Sequence, residues 1–189
     1  MKKSIAFICI MICSAALFAG TVSMNLGFSI LGANAGAAIK VSDSTKIGAA
    51  VSLAREASTS NDAFGWIYAQ GFVAIDPIES IANDLDMRFG LSYLKINGSE
   101  GTSSDDESEQ AQTGTRFIGL TFGIQYTHWF GSRRNHGIFV GMDLPIGGYT
   151  ETRNGDGLDE SGPFIGPFTS LATLAVGLVS FKVGYGFQF

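Results

Sequence analysis

The chain offers few residues that could take part in catalysis. Its two histidines, His128 and His136, both flank the segment "GSRRN", and its two cysteines, Cys9 and Cys13, both lie near the start. A hydrolase needs a nucleophile, a base and an orienting group that converge on one point. His128 shares strand parity with Tyr126, which favours an interfacial position over a catalytic one. The sequence therefore predicts no enzyme, no catalytic residue and no cofactor.

A second set of polar residues consists of charges placed within apolar segments. An isolated buried ion is very costly, so such charges must pair with one another or be hydrated. We predict an internal network of salt bridges that fills the fold and holds its register. The alternative is a narrow ion path, or a gate that opens when a pair separates. The five residues share one face of the predicted sheet: Lys40, Asp86, Arg88, Asp143 and Lys182.

Acidic residues concentrate in two segments, at about 98–114 and 151–162. The first has no apolar anchor, which predicts a solvated loop that cannot fold by itself. Docking to a basic host or matrix surface and binding of a divalent cation are its functional alternatives. The second contains "NGDGLDESG", which lacks the spacing of a calcium loop, so no metal site is predicted. The acids of the first segment are Glu100, Asp105, Asp106, Glu107 and Glu109.

The first twenty residues have the features of a secretory signal peptide. Lys2 and Lys3 precede the apolar run Ile5–Ile12, and small residues follow it. We expect cleavage between Ala16 and Gly20, which makes 1–20 the signal peptide and 21–189 the mature domain. The run is too short for a membrane-spanning helix, and the bulky Ile12 before Cys13 disfavours a lipoprotein signal. Loss of both leader lysines leaves ten basic against seventeen acidic side chains, a formal charge of −7, which disfavours nucleic acid as a partner.

The rest of the chain alternates large apolar residues with small or polar ones. In "TRFIGLTFGIQYTHWF" the positions from Ile118 to Tyr126 put apolar side chains on one face and Gly, Thr or Gln on the other. A soluble sandwich would bury the bulky face and expose a charged one. Here the second face is nearly neutral, which favours a closed barrel in lipid. We count about eight strands: Val22–Leu31, Ala35–Val41, Ile47–Ala57, Ala63–Ile75, Leu85–Asn97, Thr115–Phe130, Gly137–Thr150 and Leu174–Phe189.

Three places leave the strand pattern open. The apolar parity slips between Ile30 and Ala35, so the first hairpin is either two strands or one bulged strand. "FGWIYAQGFVAI" has large residues on both faces. The stretch Phe164–Thr173 is too apolar for a plain loop and could be a strand, a rim turn or a plug. Trp129, Phe130, Tyr126 and Tyr93 are expected in aromatic girdles at the membrane boundary.

The closing strand, "KVGYGFQF", carries a family resemblance. It resembles the signal by which the barrel-assembly machinery recognises small bacterial outer-membrane β-barrel proteins, with Lys182, Gly184, Phe187 and Phe189 at the matching positions. By architecture the mature chain is similar to eight-stranded barrels of the OmpA transmembrane-domain type. The resemblance implies an all-β, closed, antiparallel up-and-down transmembrane barrel. It also implies the bacterial outer membrane as location, with outer-membrane lipid and the assembly machinery as partners.

The resemblance names a class and not one activity. We predict a non-enzymatic barrel with a structural or surface-interaction role, in which the acidic loops contact a host or matrix ligand. The alternative is a narrow porin-like channel or a transport barrel for small solutes, including hydrophobic ones. The turns "SDSTK", Asp76–Asn83 and "GSRRN" are expected at the periplasmic end, and the acidic segments at the outer end.

Overall fold

The computed structural model describes residues 21–29, 32–59, 62–78, 80, 82–99, 112–131, 133–153, 159–166, 176–177 and 180–189. The predicted signal peptide and the acids from Glu100 to Glu109 lie outside these residues. Nine strands account for almost all of the described chain. They are β1 (Val22–Ser29), β2 (Gly32–Ser42), β3 (Thr45–Thr59), β4 (Asp62–Ile75), β5 (Asn83–Ser99), β6 (Gln112–Phe130), β7 (His136–Arg153), β8 (Asp159–Ile165) and β9 (Lys182–Gln188).

The strands form one antiparallel sheet that closes on itself. Each strand from β1 to β7 pairs with its neighbour in sequence, and β9 joins β7 to β1. Backbone hydrogen bonds between Val22 and Phe189 complete the closure. The predicted closed up-and-down barrel is therefore confirmed.

The eighth position of the barrel is shared by two short strands. β8 pairs with the Gly147–Arg153 part of β7, and β9 pairs with the His136–Gly141 part of the same edge. They follow one another along β7 because the chain leaves the wall between them. The strand predicted over Leu174–Phe189 is thus wrong in its first part: Val176, Gly177 and Ser180 are helical, and the strand begins at Lys182.

Val176 shows where the excursion between β8 and β9 goes. Its side chain is fully buried inside the barrel, in a cluster with Trp66, Tyr68, Leu94 and Phe117. In the Phe164–Thr173 region, Phe164 and Ile165 belong to β8, which agrees with the strand alternative for these two residues. Most of that stretch lies outside the described residues.

Period-two alternation sorts the side chains between lipid and interior. Large apolar residues point outward and are exposed, to 73% at Phe28 and 66% at Leu91. Such a wall is unfavourable in water and suits the hydrocarbon of a bilayer. In "FGWIYAQGFVAI" the structure resolves the ambiguity: the larger rings of Trp66, Tyr68 and Phe72 point inward, and Ile67 and Val73 point outward.

The two ends of the barrel differ in their connections and in how far the strands extend. The connections at 43–44, 76–82 and 131–135 lie at the end that also holds Val22 and Phe189. At the opposite end, the β1–β2 ladder stops at the pair formed by Ser29 and Gly32. Strands β5, β6 and β7 are longer, with 17 to 19 residues each. The apolar parity slips between Ile30 and Ala35 because two separate strands, β1 and β2, meet in this region. Among the described residues, no helix has the length and apolar character needed to cross a membrane.

Candidate functional site

The centre of the barrel interior holds a buried ion pair. Lys182 Nζ lies 2.9 Å from Asp143 Oδ2, and the side chains are 2% and 0% exposed. Tyr68 Oη also points to this carboxylate, at 3.4 Å from Oδ2. β7 and β9 are adjacent, so cross-strand register brings together two residues 39 positions apart. The pair lies on the inner face, as their parity predicts.

Ser180 attaches the inserted segment to this centre. Its Oγ accepts a hydrogen bond from the Asp143 backbone N–H at 2.9 Å. The Ser180 hydroxyl can in turn donate to the backbone carbonyl oxygen of Asp143, at 2.7 Å, or to that of Gly177, at 3.0 Å. Ser180, which precedes β9, is therefore tied to the same strand residue that forms the ion pair.

A chain of uncharged groups continues from the ion pair around the inner wall. Tyr68 Oη lies 3.0 Å from Ser92 Oγ, which lies 2.8 Å from Thr121 Oγ1. Gln70 Nε2 donates to the same Thr121 oxygen at 2.9 Å. All four side chains are at most 3% exposed. They tie β4, β5 and β6 together because buried polar groups stabilise the fold only when they are paired.

Towards the short-turn end, Lys46 bridges two carboxylates. Its Nζ lies 2.7 Å from Asp84 Oδ2 and 2.7 Å from Asp86 Oδ1. Sequence reasoning missed Lys46 by assigning it to a turn, although it pairs directly with Lys40 in the β2–β3 ladder. Lys40 itself does not reach this group. It lies at the rim, 3.8 Å from the fully exposed Asp43.

Arg88 lies between the two charged groups. Its guanidinium carbon is 4.2 Å from the centre of the Phe72 ring, and the residue is 2% exposed. Its Nε has no hydrogen-bond partner in the described structure, and the same holds for Gln70 Oε1 and Asp143 Oδ1. Unpaired atoms of this kind are stabilised when water reaches them. The middle of the barrel thus contains buried polar atoms whose hydrogen-bonding capacity is not used within the described residues.

A cavity of about 570 Å³ opens at the short-turn end. Trp129 is one of its walls, which corrects the prediction that Trp129 belongs to the lipid-facing girdle. The residue is 5% exposed and points inward, since Thr127 and Gln125 on the same face are also buried. The ring packs where Gly137 and Gly186 have no side chain: a Cβ would come within 2.8 Å and 3.2 Å of it.

Three carboxylates near this mouth could in principle bind a cation. Oxygens of Asp76, Asp84 and Asp86 lie within 4.8 Å of one another. Lys46, however, already supplies a positive charge to two of them, and Asp76 Oδ1 accepts the backbone N–H groups of Ile78 and Leu85. The cluster is therefore explained by contacts within the chain.

Neither histidine belongs to the interior. His128 is exposed on the outer wall, where its Nδ1 lies 2.8 Å from Asn83 Oδ1, next to the Tyr126 hydroxyl. His136 packs against the rings of Phe130 and Phe187. In the described part of the chain neither imidazole contacts a serine or a carboxylate, so a hydrolytic triad is not assembled there.

The residues of the closing motif divide between the two faces of β9. Lys182 points inward to Asp143, and Gly184 lies directly opposite Gly27 of β1. Phe189 is exposed on the outer side, and Phe187 packs beside Tyr185. These positions agree with a lipid-facing aromatic end. Recognition by an assembly machinery stays a prediction.

Comparison with solved structures identifies the architecture. A major outer membrane protein from Thermus thermophilus has a TM-score of 0.52 at 11% identity, over 89% of this chain and 99% of that chain. Ail, the attachment invasion locus protein of Yersinia pestis, has a TM-score of 0.47 at 10% identity, over 91% of this chain and 100% of that chain. CarO of Acinetobacter baumannii gives 0.40 at 9% identity, over 92% and 99%. Another Ail structure is a complex with the heparin analogue sucrose octasulfate.

The comparison supports the fold and no particular activity. No protein-family model and no curated protein matches the sequence. The likeness to the Thermus thermophilus outer membrane protein concerns the fold, and a closed membrane barrel agrees with the exposed apolar wall. The chain therefore has the fold of the small bacterial outer-membrane β-barrel proteins, as its closing strand predicts.

Proposed function

We propose that this protein is a non-enzymatic outer-membrane barrel with a structural and surface-interaction role, exerted through the acidic segments at 98–114 and 151–162. One observation carries the proposal: strands β5 to β8 continue as paired sheet beyond the apolar wall. Tyr93, Ile118 and Tyr149 form the last exposed apolar row across β5, β6 and β7.

Two residues further along, the row across the same strands is polar. It consists of Lys95, Arg116, Glu151 and Ser161, which are cross-strand partners. Arg116 Nη1 lies 3.7 Å from Glu151 Oε2, and both side chains are largely exposed. This change from apolar to charged marks the upper membrane boundary. In this proposal both acidic segments lie on the water side of that boundary.

The filled interior supports this role over that of an open pore. The cluster around Val176 fills the half of the interior that is farther from the short-turn end. The ion pair of Asp143 and Lys182 lies at the middle of the interior. An eight-stranded barrel has room for little beyond side chains. The acidic side chains predict a basic partner, because opposite charges attract. A sulfated ligand such as the one bound to Ail would be repelled.

The test compares cells that display the wild type with cells that display a D105N/D106N/E107Q/E109Q variant. Binding to poly-L-lysine surfaces is expected to fall several-fold, and binding to heparin surfaces to stay low. A D43N variant at the opposite end is the matched control and should bind like the wild type. Equal binding of all three proteins to poly-L-lysine would refute the acidic-loop role.

The second candidate is a narrow channel or transport barrel. It is favoured by the cavity at the short-turn end and by the buried polar atoms of Arg88 and Gln70 that have no hydrogen-bond partner in the described structure. Reproducible single-channel steps in a planar bilayer would establish it. A silent bilayer supports the structural role instead.

The remaining expectations concern biogenesis. We propose that residues 1–20 are removed on export and that Lys182, Gly184, Phe187 and Phe189 are read by the assembly machinery. Amino-terminal sequencing of the protein from outer membranes tests the first. A start outside residues 17–21 would contradict it.

A further inference from the structure

The turn between β6 and β7 carries the most exposed positive charge at its end of the barrel. Arg133 and Arg134 are both exposed, and neither forms an ion pair within the described part of the chain. Arg134 has a φ of 51°, and its N–H donates to Gly131 O at 3.1 Å. The left-handed backbone at Arg134 helps to close the turn, in which the two exposed arginines occupy consecutive positions.

An aromatic cluster lies on the outer wall beside this turn. The ring centres of Phe130 and Tyr185 are 5.9 Å apart, and those of Tyr185 and Phe187 are 4.9 Å apart. His136 completes the group, at 5.9 Å from each of Tyr185 and Phe187. Aromatic side chains of this kind collect at the depth of the lipid headgroups. The cluster thus places the two arginines at headgroup level.

His136 links the aromatic cluster to the turn. Its Nδ1 is buried without a hydrogen-bond partner. A Cβ built on Gly131 would lie 3.7 Å from His136 Cδ2, the carbon bonded to Nε2. The Cδ2 edge of the His136 ring therefore lies near Gly131, the residue that begins the turn.

The other connections at this end have the opposite charge. The β2–β3 turn contains Asp43, and the β4–β5 connection begins with Asp76. The mature chain carries a formal charge of −7 once Lys2 and Lys3 are removed. A local positive patch on an acidic protein is complementary to phosphate, which guanidinium groups bind with paired hydrogen bonds.

From this arrangement we infer a binding site for the headgroup of an anionic phospholipid, formed by Arg133, Arg134 and His136 above the rings of Phe130 and Tyr185. The inference rests on the proposed insertion in the membrane and adds a lipid class to it. The headgroup phosphate contacts the turn, and the first carbons of the acyl chains lie along the aromatic rings. An acidic lipid in the adjacent leaflet is selected over phosphatidylcholine, because the positive charge of the choline group is repelled by the two arginines.

The experiment is native mass spectrometry of the folded, detergent-solubilised protein with equimolar phosphatidylglycerol and phosphatidylcholine. The wild type is expected to retain phosphatidylglycerol preferentially, and R133Q/R134Q to lose on the order of ten-fold in that ratio. R116Q, at the opposite rim, is the matched control and keeps the wild-type ratio. H136F preserves the ring packing and should give an intermediate ratio.

Each other outcome has a defined meaning. Equal retention of both lipids by the folded wild type, or an unchanged preference in R133Q/R134Q, overturns the site. Competition by soluble glycerol phosphate at the concentration of the lipid would assign the patch to free phosphate and also overturn it. All variants must first show the heat-modifiable mobility of a folded barrel. A wild type that is monodisperse in detergent-free buffer would instead refute the membrane barrel as a whole.

Discussion

Asp143 and Lys182 form an ion pair at the centre of the barrel, with 2.9 Å between Oδ2 and Nζ and almost no exposure of either side chain. Asp143 belongs to β7 and Lys182 to β9, where it is the first strand residue after the inserted segment. The pair therefore fixes the point at which the chain re-enters the wall. Ser180 reinforces it through the Asp143 backbone.

Breaking this pair should destabilise the barrel strongly. D143N keeps the shape of the side chain but leaves Lys182 without a counter-charge, so we expect a loss of about 3–5 kcal/mol in the free energy of unfolding. Urea unfolding in lipid vesicles measures it. The double variant D143L/K182M, which removes both charges, should recover most of the loss. Equal stability of D143N and the wild type would show that the pair is hydrated and weak.

Gly123 provides room for the Asp143 carboxylate. A Cβ at this position would collide with Asp143 Oδ1. G123A should therefore lower the unfolding free energy by about 1–3 kcal/mol. G71A is the matched control, because a Cβ there meets no atom within 4 Å. A similar loss in both variants would trace the effect to glycine chemistry in strands and not to the carboxylate.

Lys46 and Lys40 are predicted to differ although they are cross-strand partners. K46M leaves Asp84 and Asp86 with no direct cation, and we expect a loss of roughly 3 kcal/mol. K40M should have no measurable effect, because its partner Asp43 is fully exposed. The comparison uses the same urea titration. A larger loss in K40M would place the charge network nearer the rim.

Trp129 should behave as an interior residue. In W66F it is the single tryptophan, since the chain has two. Its fluorescence is expected to resist quenching by brominated lipids, because the ring faces the mouth cavity. A W66F/W129F/I138W protein, with its tryptophan on the outer wall, is the positive control. Strong quenching of Trp129 by the brominated lipids would show that its ring faces lipid, as expected for a residue of the aromatic girdle.

Deletion of Phe189 should reduce assembly. The residue is 76% exposed at the outer face of the closing strand, and its backbone also bonds to Val22. We expect less heat-modifiable barrel in fractionated outer membranes, while F189W retains most of it. Unchanged amounts after the deletion would separate the aromatic end from assembly.

Alternation alone was sufficient to assign most residues to a face. Every second residue from Ile118 to Tyr126 points outward, and Asp143 points inward, as predicted, because the two-residue period is a local property of an extended chain. The period fails where both faces are bulky. Around Trp66 the sequence pattern was ambiguous, and at Trp129 it led to the wrong face. A large ring such as Trp129 fits inside only where neighbouring strands leave space, as at Gly137 and Gly186.

Long-range contacts could not be predicted in the same way. Lys46 meets Asp86 across 40 residues, and Val176 packs among residues from β4, β5 and β6. Such contacts depend on the register of several strands and on the volume left inside the closed wall.

The amino-acid order thus established the class of fold, the apolar outer wall and the identity of most of the charged inner residues, because each follows from local periodicity and composition. The choice of ion partners, the split eighth strand and the filling of the barrel emerged only from the folded whole. They depend on closure, which sets the interior space and brings distant strands into register.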